Sequence, residues 1–170
     1  MDKIEELLKD PKTDLQKQAL TDKSYKKTPN NQDCKINFEL ATYGDAILKC
    51  VLCKIYFERE DEDNFGFKGK LTEWKKQYES DEVLVRVVAK HYKLLKFLKY
   101  DKKGNGKPKE QKPRNYKHKG QNDKDRHKYI ATAMEACIAA VYIENGENEV
   151  IEIVKKWIRW IDKETNSSDT

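Results

Sequence analysis

Residues 37–57 read NFELATYGDAILKCVLCKIYF, one of the most apolar runs in a chain dominated by charge. A single carboxylate, Asp45, stands in its middle beside Gly44. Between Leu40 and Phe57 the apolar residues fall on every side of a helix, which predicts a central, buried element. A second run, residues 129–142 (YIATAMEACIAAVY), repeats the pattern with Glu135 as its one acid. Two buried helices, each with one acid in the middle of its apolar run, pose the question the rest of the chain has to answer.

A buried carboxylate without a partner is costly or takes up a proton. Asp45 has a local candidate partner in Lys49, at the i+4 spacing that allows an ion pair. Glu135 has none within a turn of its own helix, where its neighbours are Ala131, Thr132, Ile138 and Ala139. Its partner must come from elsewhere: Lys128, two turns earlier on roughly the same face, or a metal ion. Two acids from two packed helices suit Mg²⁺, which keeps several waters and often takes only one or two carboxylates. Such an ion can activate water against a phosphodiester.

The length of 170 residues fits one domain with a real core. Charged residues are 38% and hydrophobic ones 37%, so the surface must be densely charged; seven Gly and four Pro argue against a turn-rich all-β fold. The formal charge of +5 permits nucleic-acid binding without demanding it. The N-terminal residues are charged throughout, unlike a signal peptide, and no apolar run reaches the roughly 18 residues of a membrane span. A soluble cytoplasmic protein is expected, with its four cysteines reduced. Cys50 and Cys53 form a CxxC, but no second pair completes a zinc site. Small core residues are the expected role of these thiols.

Helical signals fill most of the chain. Short helices are expected at residues 3–8 and 14–20, the central one at about 36–57, and another at 71–78. Ser80, with Asp81 and Glu82 behind it, caps a further helix running to about His91. Residues 92–100 read as a short helix or turn. Asn145 and Gly146 end the second apolar helix, and residues 149–161 form a last amphipathic one before a frayed tail, 162–170. Between the two halves lies a basic insert, residues 101–128, with 11 Lys or Arg against 4 acids. Its net charge of about +7 leaves the remainder near −2. Gly104, Gly106, Pro108, Pro113 and Gly120 argue against a helix there. A loop this long inside a domain is functional or disordered.

At residues 40–48, LATYGDAIL resembles the ribonuclease III signature LEFLGDAIL. Residues 18–25, QALTDKSY, are similar to the family's ALTHKSY. Residues 69–84, GKLTEWKKQYESDEVL, and 127–146, HKYIATAMEACIAAVYIENG, match two further family blocks in family order. The resemblance implies an all-α, ribonuclease III-like endonuclease domain over residues 1–161. It also implies a homodimer acting on double-stranded RNA with Mg²⁺ or Mn²⁺. A compact member is expected, without the RNA-binding domain that long members carry after this domain.

Carried over residue by residue, the family's four metal-holding carboxylates become Asp45, Glu135, Ala41 and Thr132. A further family glutamate falls on Phe38, the histidine of its THKSY on Asp22, and a phenylalanine that helps the subunits engage on Thr42. Glu39 does not replace the acid missing at 41, because it points about 120° away from Asp45. Thr132 could still hold a metal-bound water.

Two functions remain open at this point. In the first, Asp45 and Glu135 bind the metal for hydrolysis, with Lys128 and Thr132 in support. In the second, the chain is a catalytically impaired relative that binds structured RNA or acts as a scaffold, alone or beside an intact member. Under either, Lys102, Lys103, Lys107, Lys109, Lys112, Arg114, Lys117 and Lys119 offer sequence-independent phosphate contacts. The alternative for these side chains is a solvated insert without a partner.

Overall fold

Side-chain caps mark several of the helix starts. Asp2 Oδ1 accepts from the backbone N–H of Glu5 at 2.9 Å and opens α1 (Lys3–Lys9). Thr13 Oγ1 accepts from Gln16 N at 3.1 Å and opens α2 (Asp14–Ala19). Each cap satisfies a backbone donor that the first turn leaves unpaired. In the computed structural model, residues 1–28, 30–58, 69–101 and 121–167 are described, with 121–127 as backbone only.

After a 3₁₀ turn (Tyr25–Lys27) comes α3 (Phe38–Phe57), the predicted central helix. Its start is pinned from below. Asn37 is buried, and its amide groups donate to Thr21 O at 2.9 Å and Ala19 O at 3.3 Å. Thr21 in turn bridges to Lys99, an isolated β-bridge and the only extended pairing among the described residues. Asp22, where the family motif has histidine, is buried in this knot, and its Oδ1 accepts from Ser24 N at 2.8 Å.

Helix α4 (Lys70–Glu79) leads to α5 (Asp81–Val83), capped by Ser80 as expected. A π-helical stretch (Leu84–Ala89) and α6 (Lys90–Tyr92) continue it, burying Leu84, Val87 and Val88. A 3₁₀ turn (Leu94–Lys96) follows. Then come α7 (Gln121–Asn145) and α8 (Glu147–Ser167), joined at Gly146, whose φ of 84° gives the expected glycine stop.

Two boundaries differ by more than two residues from the sequence reading. Helix α7 begins at Gln121, inside the stretch expected to be non-helical up to Lys128. The glycines and prolines of that stretch end at Gly120, and nothing in QNDKDRHK opposes a helix. Helix α8 runs to Ser167, past the expected end at Ile161. Its buried face does stop at Ile161; the added turns are exposed, and Tyr78 OH donates to Asp162 Oδ1 there at 2.8 Å.

The core forms where α3 lies along α7, the most extensive helix contact in the fold. Residues 133 to 141 of α7 are buried except Glu135, because alanines leave room for neighbours all round. Helix α8 closes the core with Val150, Ile151, Ile153, Val154, Trp157, Ile158 and Ile161, within the stretch expected to be amphipathic. Helix α1 belongs to the same body. Asp2 Oδ2 accepts from Tyr92 OH at 2.8 Å and from Lys156 Nζ at 2.7 Å, while Trp157 Nε1 donates to Tyr92 OH at 3.0 Å. Burial alone would raise the Asp2 pKa; the hydrogen bond from Lys156 and its companions bring it below the usual value. No described helix is long and apolar enough to cross a membrane.

Candidate functional site

The two acids meet because α3 and α7 touch backbone to backbone. A methyl group added at Gly44 would overlap the Glu135 carbonyl oxygen and lie 2.6 Å from its carbonyl carbon and 3.3 Å from Ala139 N. Only glycine permits this approach. Asp45 follows Gly44 directly, so both acids sit at the crossing point.

Asp45 is paired locally. Lys49 Nζ donates to its Oδ2 at 2.6 Å, with 36% of the Asp45 side chain and 45% of the Lys49 side chain exposed. The hydrogen bond to Asp45 holds the Lys49 ammonium above its usual pKa. Asp45 is therefore less buried than its place in an apolar run suggests. At about 100° per residue, Gly44, Leu48 and Leu52 face the core, Tyr43, Ala46, Cys50 and Phe57 face away, and Asp45 and Lys49 lie on the edge between.

Glu135 is the more constrained acid. Burial, then the charges of Asp45 and Asp81, push its pKa up to about 7, against the opposing pull of Lys49 and Lys128. Lys128 thus acts on Glu135 as the sequence suggested. Asp81 was read there only as a helix-dipole residue. Its nearness to Glu135 is a tertiary fact without a local signal. Glu79 of α4 belongs to the same neighbourhood: its charge acts on Lys49, and its Oε2 is buried without a hydrogen bond, 3.6 Å from Lys75 Nζ.

The positions that lack the family's acids are arranged differently from one another. Ala41 is buried in the core and brings no oxygen. Thr132 donates its hydroxyl to the Lys128 carbonyl at 2.8 Å, one turn back. Phe38 is exposed, and Thr42 donates to its carbonyl at 3.2 Å. Among the described residues, no three or more His, Cys, Asp or Glu side chains come together as a metal-binding group. The four-carboxylate cage does not fit this pair: two of its members have no carboxylate, and Asp45 is already held by an ammonium.

The thiols depart from expectation. Cys137 is fully buried, and burial pushes its pKa up to about 12, but Cys50 is exposed and Cys53 half-buried. Helical periodicity carries residue 50 onto the solvent face of α3, so the core role holds for Cys137 and fails for Cys50. The eight basic residues from Lys102 to Lys119 lie outside the described residues.

Among solved structures, the chain is similar to one titled for structural flexibility in the region involved in dimer formation of the nuclease domain of ribonuclease III from Campylobacter jejuni. The two are 21% identical, the match covers 94% of each chain, and the TM-score is 0.62, which establishes the likeness of fold. The family model described as ribonuclease-III-like matches residues 12–160, from just before α2 to within α8. Both acids of the helix crossing fall inside that match, and the chain belongs to the ribonuclease-III-like family.

Proposed function

We propose that the chain binds double-stranded or structured RNA in the cytoplasm as a homodimer, with an acid pair no longer equipped for metal-dependent cleavage. The observation that carries the second half is the Lys49–Asp45 bond of 2.6 Å at the centre of the site. An acid so engaged, beside Ala41 and Thr132, ranks the impaired relative above the endonuclease.

RNA binding is supported by how the charge is distributed. Residues 101–128 hold a net charge of about +7 in a chain of +5, and they run directly into the helix that carries Lys128 and Glu135. Phosphate contacts from such a segment are sequence-independent and steeply salt-dependent. Double-stranded RNA, read through shape, phosphates and 2′-hydroxyls, suits them.

The homodimer is supported by α3. Tyr43, Ala46, Cys50 and Phe57 form a stripe on its outer side, with Tyr43 46% and Phe57 53% exposed. The Tyr43 ring meets Tyr142 of α7 edge-on at 6.0 Å, and Ile143 extends the patch with 52% exposure. Exposed large apolar side chains on this side of α3 and α7 suit an interaction surface.

A second reading, hydrolysis by the remaining pair with Mg²⁺ or Mn²⁺, is favoured by one observation: the fold still brings Asp45 and Glu135 to one crossing. The test is a salt series of double-stranded RNA binding, with a cleavage assay in Mg²⁺ or Mn²⁺ alongside. We expect binding without cleavage, and a much flatter salt dependence after deletion of residues 104–120. Cleavage that Asp45→Asn and Glu135→Gln both abolish would establish the second reading. An unchanged salt slope in the deletion would remove the basic segment from the account.

A further inference from the structure

We propose that Lys49 is the resident counter-cation of the Asp45–Glu135 pair, and that its ammonium keeps divalent ions off it. The inference deepens the reading of an acid pair not equipped for metal, and it rests on that reading.

The geometry is direct. Lys49 stands one turn after Asp45 on the same edge of α3, and its Nζ lies 2.6 Å from Asp45 Oδ2. Its charge reaches Glu135 on α7 and Glu79 on α4 as well. One tethered ammonium thus serves acids from three helices. Lys128, two turns earlier on α7, supplies a second positive charge that acts on Glu135. A divalent ion arriving from solvent would have to displace the first and tolerate the second.

Access is not what excludes the ion, since both members of the Lys49–Asp45 pair are partly exposed. The balance of charge does it. Two more carboxylates at positions 41 and 132 would outweigh one lysine, but Ala41 is buried and oxygen-free and Thr132 gives its hydroxyl to a backbone carbonyl. Asp81 is the acid that faces Glu135 from α5, and it is exposed to water. What remains is an acid pair countered by cations of its own chain.

The experiment is a Mn²⁺ titration of the full chain, read as loss of the free-ion electron paramagnetic resonance signal. Wild type, Lys49→Met and the double variant Lys49→Met/Asp45→Asn are compared, each checked for helicity by circular dichroism. Methionine keeps the aliphatic stem and removes the charge. We expect no Asp45-dependent binding in wild type, and a gain of at least about tenfold in affinity in Lys49→Met. That is the scale of one like charge a few ångströms from a divalent ion. The double variant should lose the gain. Two results overturn the proposal: wild type binding Mn²⁺ as tightly as Lys49→Met, or no gain in a folded Lys49→Met. No RNA enters this titration, so its failure is separable from a failure of RNA binding.

Discussion

Gly44→Ala is the sharpest perturbation of this fold. In an exposed helix the change should stabilise, since alanine exceeds glycine in helix propensity by about 1 kcal/mol. Here the added methyl group would overlap the Glu135 carbonyl oxygen and stand 2.6 Å from its carbonyl carbon. Neither atom belongs to a side chain that can rotate away. Relief requires α3 and α7 to move apart by about an ångström, the scale needed to restore ordinary carbon–oxygen contact. The separation opens gaps along the most extensive contact in the core, where Leu48, Val51 and Leu52 meet the buried face of α7.

Overpacking of a well-filled core costs about 1–3 kcal/mol with side chains that can adjust. Against backbone, the upper end or beyond is expected, so a net loss of about 3 kcal/mol or more follows. Domains of this kind hold about 5–15 kcal/mol in all. Urea unfolding followed by circular dichroism measures the loss. Ala46→Gly, two residues away on the exposed side of α3, is the control, with an expected loss of about 1 kcal/mol from propensity alone. A Gly44→Ala protein within 1 kcal/mol of wild type would refute the close crossing, and with it the reason the two acids share a site.

Two further predictions concern the acid pair and the outer face of α3. With a pKa of about 7 in the fold against 4.5 when unperturbed, Glu135 binds its proton more tightly folded than unfolded, so stability falls as pH rises from about 4.5 to about 7. After halving for partial solvent exposure, the loss is about 2 kcal/mol; Glu135→Gln should remove that slope and be the more stable protein at pH 8. Equal pH–stability profiles for the two would contradict the placement of Glu135 beside Asp45. On α3, oxidation or a short bis-maleimide should join two copies through Cys50, and Phe57→Glu should shift sedimentation from dimer to monomer. A wild-type chain that sediments as a monomer at micromolar concentration would rule out the α3 interface.

What the sequence made legible follows periodicity and local chemistry. The apolar runs place α3 and α7, and the capping chemistry of Ser80 and the Gly146 stop put ends where they are found. The apolar spacing from Val150 to Ile161 marks the buried side of α8, although Ile151, which falls off that spacing, is buried too. Asp45–Lys49 was equally readable, because an i+4 pair lies within one helix. Other features needed the third dimension. Nothing local in SDEV brings Asp81 towards Glu135, and no pattern distinguishes Cys50 from Cys137 until the core side of each helix is known. The early start of α7 was hidden by averaging: the composition of residues 101–128 as a whole reads as loop, although its last eight residues contain no helix breaker.

The resemblance and the geometry answer different questions about the same stretch. Matching LATYGDAIL to a family signature locates Gly44 and Asp45, and the fold shows why that dipeptide persists when other acids do not. Gly44 is required by packing whatever the chemistry, for it sets the distance between two helices. Asp45 is tolerated beside that contact in company with Lys49, since an unpaired carboxylate there would press its full charge on Glu135. A chain with Ala41 and Thr132 beside Asp45 therefore has a structural use for a lysine at 49. The same ammonium that makes the pair tolerable to the fold is the charge a metal would have to overcome.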